Sequence, residues 1–279
     1  MSHALPFPNQ QLSVDNYFDS VAPQWKKLYR DRGLKPAIFA YRQSVALEWL
    51  AQSLTLENSD VLDVGCGAGP ASVFLASRGA RVKAIDTVPR MVNLTRQSAK
   101  ERGLSSLIDP SMGDVHSLRF ADDTFDAVVA IGVIYWLHSP RRALREIMRV
   151  LKPGGRLVVS ADNARRITYT MDPGHLPSVL ALRRSVGRAL RATGLRQPAS
   201  ISVNRYSVAK FDELLTDCEF EKLKGITIGF GPFSFLECKV IPEFIGIRVH
   251  RVLQRLAEKP QSAFSSAGNH YVVLARKPL

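Results

Sequence analysis

The stretch Val61-Leu62-Asp63-Val64-Gly65-Cys66-Gly67-Ala68-Gly69 constrains this chain more than any other part of it. A segment with the composition of a buried strand ends around an acidic residue, and three alternating glycines lead into a helical segment. Glycine lets the backbone turn sharply and approach a ligand closely. In open α/β sheets, ligands sit outside the carboxyl ends of the strands, where such a loop lies. The flanking sequence supplies that setting. Candidate strands at 61–64, 81–86, 108–113, 125–131 and 155–161 alternate with candidate helices at 70–77, 88–102 and 141–151. Apolar strands alternating with helices predict a parallel sheet covered on both faces. Gly79 and Gly103 stand where helix stops belong.

Three further features follow the glycines in order. Asp86 ends the second candidate strand, seventeen residues after Gly69; a carboxylate there can accept hydrogen bonds from both hydroxyls of an adenosine ribose. Asp114 and Val115 follow the third strand, where a carboxylate can accept from an adenine amine. Arg149-Val150-Leu151-Lys152-Pro153-Gly154-Gly155 ends a helix and turns into a strand. A nicotinamide or flavin dinucleotide site would want G-x-G-x-x-G, with its third glycine at position 70. Pro70 stands there, and it removes a backbone amide that a pyrophosphate would need. Asp63 would repel a pyrophosphate, whereas it suits a ligand with an ammonium group.

These motifs resemble those of class I S-adenosylmethionine (SAM)-dependent methyltransferases: VLDVGCGAG the first, VKAID the second, GDVHSLRFADDTFDAVVA the third and RVLKPGGRLVVS the last. The resemblance covers roughly residues 55–160, and the tail GNHYVVLARKP fits the final strand of the same fold. The opening NYFDSVAPQW and the turn LRFADDTFD are similar to the small-molecule branch, which includes quinone C-methyltransferases and magnesium-protoporphyrin O-methyltransferases. It implies an α/β fold with a Rossmann-like, seven-stranded, mostly parallel sheet, an antiparallel last strand and helical cap insertions. It also implies the cofactor S-adenosyl-L-methionine and the product S-adenosyl-L-homocysteine (SAH); the ordered motifs together with two cap-like segments favour methyl transfer to O, N or C of a small apolar or amphipathic metabolite. By the same resemblance Asp63, Gly65, Gly67 and Gly69 would surround the methionine moiety. Asp86 would hold the ribose with Thr87 and Met91 nearby, and Asp114 and Val115 would flank the adenine. Ile131 and Gly132 would form the floor under the sulfonium, and Tyr17 would close over the cofactor.

The expected organisation has four parts: an N-terminal helical lid (1–55), the SAM-binding core (56–161), an arginine-rich cap insertion (162–204), and a C-terminal part of the core (205–279) with a second cap segment at 232–258. Residues 1–12 read as a polar lead. Residues 14–32 read as a helix broken by Pro23, and 36–55 as an amphipathic helix with Ile38, Phe39, Val45, Leu47 and Leu50 on its apolar face. Residues 208–218 read as a helix. Strands at 223–230 and 271–275 suggest an antiparallel pair at one edge of the sheet.

The net charge of +13 is concentrated. Residues 161–210 hold nine basic and two acidic residues, a net of +7. That favours a local anion-attracting patch. Arg183, Arg184, Arg188 and Arg191 fall along one side of a candidate helix, either as a solvated face or to attract an anionic group on the acceptor. The alternative of an RNA or other macromolecular substrate rests on charge alone, with no recognisable RNA-binding module. Cys66, Cys218 and Cys238 are too few and scattered for a disulfide framework or a zinc site. No signal peptide is evident, and the longest apolar run, 127–137, is too short to span a bilayer. A cytoplasmic protein is expected. The apolar segment 232–247 would line an acceptor pocket, touch a membrane surface peripherally, or serve as cap core.

Catalytic candidates are few. His138 follows the fourth strand near the expected acceptor; it would accept a proton, or simply cap the next helix ahead of Ser139-Pro140. His116 is expected to pack beside the adenine motif, and His175 has no argued role. Tyr135 and Trp136 would stack on a flat acceptor or pack in the core. Asp122-Asp123 reads as a turn, and no metal is expected.

Overall fold

A computed structural model of the chain describes residues 8–28, 33–170, 203–235, 238–239, 241–259 and 262–279. Its centre is built from strands that read as unbroken apolar runs because helices cover both faces. These are β1 (Asp60–Val64), β2 (Arg81–Asp86), β3 (Ile108–Met112), β4 (Phe125–Ala130) and β5 (Leu151–Asn163). All pair in parallel, in the order β3-β2-β1-β4-β5. The sheet continues through β10 (His270–Arg276), antiparallel to β5, and ends at β7 (Glu221–Ile228), antiparallel to β10. The two-residue β6 (Arg205–Tyr206) pairs alongside the end of β5 and brings the sheet to eight strands. The late strands do form an antiparallel pair at one edge, with the chain's last strand on its inner side.

Helices α3 (Pro70–Ala76), α4 (Pro89–Glu101) and α5 (Pro140–Val150) connect the parallel strands. Each opens on a proline, whose missing N–H costs nothing in a first turn. One apolar layer joins Leu62, Val128 and Val159 to Leu144 and Ile147 of α5 and to Phe211 of α7 (Val208–Thr216). The opposite layer joins Val61, Val129 and Val272 to Leu75 of α3 and to Leu47 and Leu50 of α2 (Leu34–Ser53). The expected apolar face of α2 is present: Ile38, Leu47 and Leu50 are buried, with Phe39 and Val45 half-buried. Of the two described helices of the N-terminal segment, α2 lies in that core layer, whereas α1 (Pro8–Leu28) packs in a separate cluster with Val88 and Met91.

Several expectations are corrected. Helix α1 starts at Pro8, inside the expected polar lead, and runs through Pro23 without a break. A proline inside a helix removes one backbone bond, and here the packing of Phe18, Ala22 and Trp25 against Val88 and Met91 outweighs that loss. The last core strand begins at Leu151 rather than 155, directly after α5. The second cap segment includes a short antiparallel pair, β8 (Ser234–Phe235) with β9 (Cys238–Lys239), before α8 (Glu243–Ala257). Of the arginine-rich insertion, the end of β5, the four-residue helix α6 (Ile167–Thr170) and residues 203–204 are described. Arg183, Arg184, Arg188, Arg191 and His175 lie outside the described residues, as do residues 29–32 of the N-terminal segment. No helix of the described residues is long and apolar enough to cross a membrane.

Candidate active site

The carboxyl ends of β1, β2, β3 and β4 meet at one cleft of about 1030 Å³, roofed by α1. The loop after β1 forms its centre. Gly65, Gly67 and Gly69 have φ of 63°, 57° and 82°, left-handed values that other residues adopt at a cost. A Cβ on Gly65 would lie 2.5 Å from Val133 Cγ2, and one on Gly67 would lie 3.2 Å from Trp25 Nε1 in the roof. The loop is anchored from behind by the Cys66 amide donating to Ile85 O (3.0 Å). The Thr95 hydroxyl donates to Gly67 O (2.9 Å) and the Ser98 hydroxyl to Ala68 O (2.9 Å).

Three carboxylates face the cleft. Asp63, at the end of β1, is buried and accepts from the Ser72 hydroxyl at 2.5 Å. Burial pushes its carboxyl up to about 7, and the charge of Asp86 adds to the rise. Asp86 accepts one amide on each oxygen, from Gly67 (3.0 Å) and Val88 (3.0 Å). Its carboxyl is also raised by burial. Each oxygen keeps a lone pair for a further donor. Asp114 accepts from the His116 amide at 2.9 Å and contacts His116 Nδ1 at 2.7 Å through the same oxygen, Oδ1. Burial alone would raise its carboxyl, but the His116 hydrogen bonds hold it below the usual carboxylate range.

Ten of the twelve expected cofactor residues line this cleft: Asp63, Gly65, Gly67, Asp86, Thr87, Met91, Asp114, Val115, Ile131 and Gly132. Two do not. Gly69 caps α3 and faces Thr95 behind the loop. Tyr17 is 39% exposed, with its ring 5.9 Å from that of Trp136; the helix period instead turns Val14, Phe18 and Trp25 into the cleft. Phe18 packs edge-on against both Trp25 (5.4 Å) and Trp136 (5.2 Å), and Trp136 and Tyr135 also line the cleft.

His138 stacks on His116 at 3.8 Å and is not among the cleft-lining side chains. Burial, then the neighbouring His116, keeps it below the usual imidazole range. Asp122 and Asp123 each pair with a basic side chain, Arg149 and Lys277, at 2.7 Å. Among the described residues no group of three or more His, Cys, Asp or Glu side chains stands together as a metal site.

Sequence reasoning missed Arg42. It is 2% exposed, yet its guanidinium lines the cleft, within 3.1 Å of where a Gly132 Cβ would stand. Its Nη1 reaches the Tyr135 hydroxyl at 3.5 Å, its plane lies 4.7 Å from the Phe39 ring, and its Nε has no partner. Among the described residues no carboxylate pairs with it. A buried cation left without a counterion is costly. A signal existed: Ile38, Arg42, Ala46 and Leu50 recur every fourth residue on the buried face of α2, and an arginine in such a stripe is out of place in a plain core.

Residues 62–159 match the family described as "Methyltransferase domain". Among curated relatives, "Methyltransferase GfsG" of Streptomyces halstedii is 36% identical over 101 residues, 36% of each chain. "Ubiquinone biosynthesis O-methyltransferase" of Xanthomonas oryzae pv. oryzae is 36% identical over 129 residues, 46% of this chain and 53% of the relative. The chain thus spans about half, or less, of the length of the curated relatives it matches. Over nearly the whole chain the fold is similar to magnesium protoporphyrin IX methyltransferase (ChlM) from Synechocystis PCC 6803 with bound SAH, with a TM-score of 0.62, 17% identity and coverage of 96% and 99%. It is also similar to the cyclase SpnF, with a TM-score of 0.59, 21% identity and coverage of 95% of both chains. The class I methyltransferase fold expected from the motifs is therefore the fold of this chain.

Proposed function

We propose that this chain, whose residues 62–159 match a methyltransferase domain, transfers the methyl group of SAM to O, N or C of a small apolar or amphipathic acceptor and releases SAH. One observation carries the reading: the cleft sets out polar groups in an order complementary to SAM. Asp63 meets the ammonium, Arg42 the carboxylate of the methionine moiety, Asp86 the two ribose hydroxyls and Asp114 the adenine amine. Gly65 and Gly67 let the backbone lie against the ligand, Thr87 and Met91 pack beside the ribose, Val115 beside the adenine, and Ile131 and Gly132 under the sulfur. A dinucleotide lacks the amino-acid end and so offers Asp63 no ammonium to meet.

In the reaction the acceptor atom attacks the methyl carbon in line, the carbon–sulfur bond breaks, and its electron pair neutralises the sulfonium. Alignment of donor and acceptor supplies up to about 7–11 kcal/mol. The rings of Phe18, Trp25, Tyr135 and Trp136 wall the cleft from water, which favours a step that discharges a cation. Among the described residues no histidine lines the cleft. His138 is therefore proposed as a positioning residue that holds His116, and through it Asp114. Label from methyl-labelled SAM, followed into the organic, aqueous and RNA fractions of a cell extract, tests the function. Label in the organic fraction supports it. Label confined to RNA would replace it with macromolecular methylation, and SAM binding without any transfer would leave a binding protein or a non-methylating enzyme of the same fold.

A further inference from the structure

Helix α8 packs Gly246, His250, Gln254 and Ala257 inward. Its opposite face holds Phe244, Ile245, Arg248, Arg251, Val252 and Arg255, all exposed. At 3.6 residues per turn these six fall within an arc of roughly 120°. Eight large apolar side chains are exposed among the described residues, and three of them, Phe244 (63%), Ile245 (39%) and Val252 (57%), stand on this one face. The three arginines beside them make no ion pair among the described residues, and no acid shares the arc. The two nearest acids turn toward α2: Glu243 accepts from the Leu34 amide at 3.0 Å, and Glu258 from the Tyr41 hydroxyl at 2.5 Å. A hollow lined by Leu34, Pro232, Phe233, Ile241 and Pro242 opens at the same end of the helix as Phe244 and Ile245.

A solvated helix face would not gather these apolar side chains, and a phosphate backbone would gain nothing from them. A membrane interface takes both: guanidinium groups meet lipid phosphates while apolar side chains sink to the acyl boundary. We propose that the outer face of α8 docks the protein on an anionic lipid surface. This goes beyond the proposed chemistry and does not depend on it, because α8 contributes nothing to the cleft beneath α1.

The test is co-sedimentation of the full chain with vesicles of phosphatidylcholine alone or doped with phosphatidylglycerol. Wild type should bind the doped vesicles, bind plain ones weakly, and release as salt is raised. The variant R248E/R251E/R255E should lose at least about 100-fold, near what three basic residues contribute at such a surface. F244S/I245S should lose about tenfold through lost apolar burial. A far-UV circular dichroism spectrum and a thermal melt unchanged from wild type show that each variant is folded. Should either fail to fold, Phe244→Trp serves in its place, with a blue-shifted tryptophan emission expected on adding doped vesicles. No binding to doped vesicles, or binding that neither variant weakens, would overturn the proposal. So would binding to transfer RNA as tight as to vesicles, lost in the arginine variant and kept in F244S/I245S, which would make the face a nucleic-acid contact.

Discussion

The two ends of the sheet do different work. At the β1–β4 end, every described cleft residue outside the helices except Leu137 stands within three positions of a strand's carboxyl end, and the strands are locked in parallel register by cores on both faces. At the β10–β7 end, antiparallel strands carry α7 and α8, and large side chains such as Phe211 of α7 and Phe230 just past β7 are buried there without lining the cleft. The first end gathers tight glycine turns, buried carboxylates and a buried cation around one cleft; the second is packing that keeps the sheet whole. Binding and stability should therefore be separable by mutation.

The largest expected effect is at the cleft. Gly67→Val would have to hold a β-branched side chain at φ 57° against Trp25, and titration calorimetry should find no SAH binding. Phe211→Ala empties a site of 0% exposure at the other end. It should cost about 3–5 kcal/mol of stability in denaturant melts while SAH affinity stays as in wild type. Asp86→Ala should weaken SAH by about 1.5–3 kcal/mol, since two hydrogen bonds to a charged acceptor are lost.

Arg42→Met should cut both ways. SAH affinity should fall by about 1.5–3 kcal/mol, methylthioadenosine, which lacks the carboxylate, should bind as before, and the ligand-free protein should be more stable because an uncompensated buried cation has gone. A parallel loss of both ligands would place Arg42 outside ligand contact.

The smallest effect is one of pH. Asp63 has its carboxyl raised from 3.8 to about 7 in the folded chain. Its contribution to ligand-free stability is present below 3.8 and is lost as pH rises through about 7. The ionised form is the one that pairs with an ammonium, so SAH affinity should rise about tenfold between one unit below that value and one above it. Asp63→Asn should flatten that part of the profile.

How much could be read in advance follows the same division. That Asp63, Asp86 and Asp114 line one cleft was legible because topology alone brings strand ends together there, and the left-handed glycines because a tight loop needs them. Phe18 rather than Tyr17 lines the cleft, because the phase of α1 was not legible to one residue around Pro23. Arg42 was hidden because α2 precedes the core in sequence and reaches the cleft only through tertiary packing. His138 follows β4 as an acceptor-side residue would, but the 3₁₀ turn Ile134–Trp136 carries it toward His116. No local pattern encodes that turn's direction.

The central claim is that the cleft under α1 is a SAM site read at both ends of the ligand. Titration calorimetry of SAH and methylthioadenosine into wild type and Arg42→Met tests it most directly. The account predicts saturable SAH binding, tighter than methylthioadenosine in wild type, with most of that preference gone in the variant. Absence of SAH binding to the folded wild-type chain would contradict it.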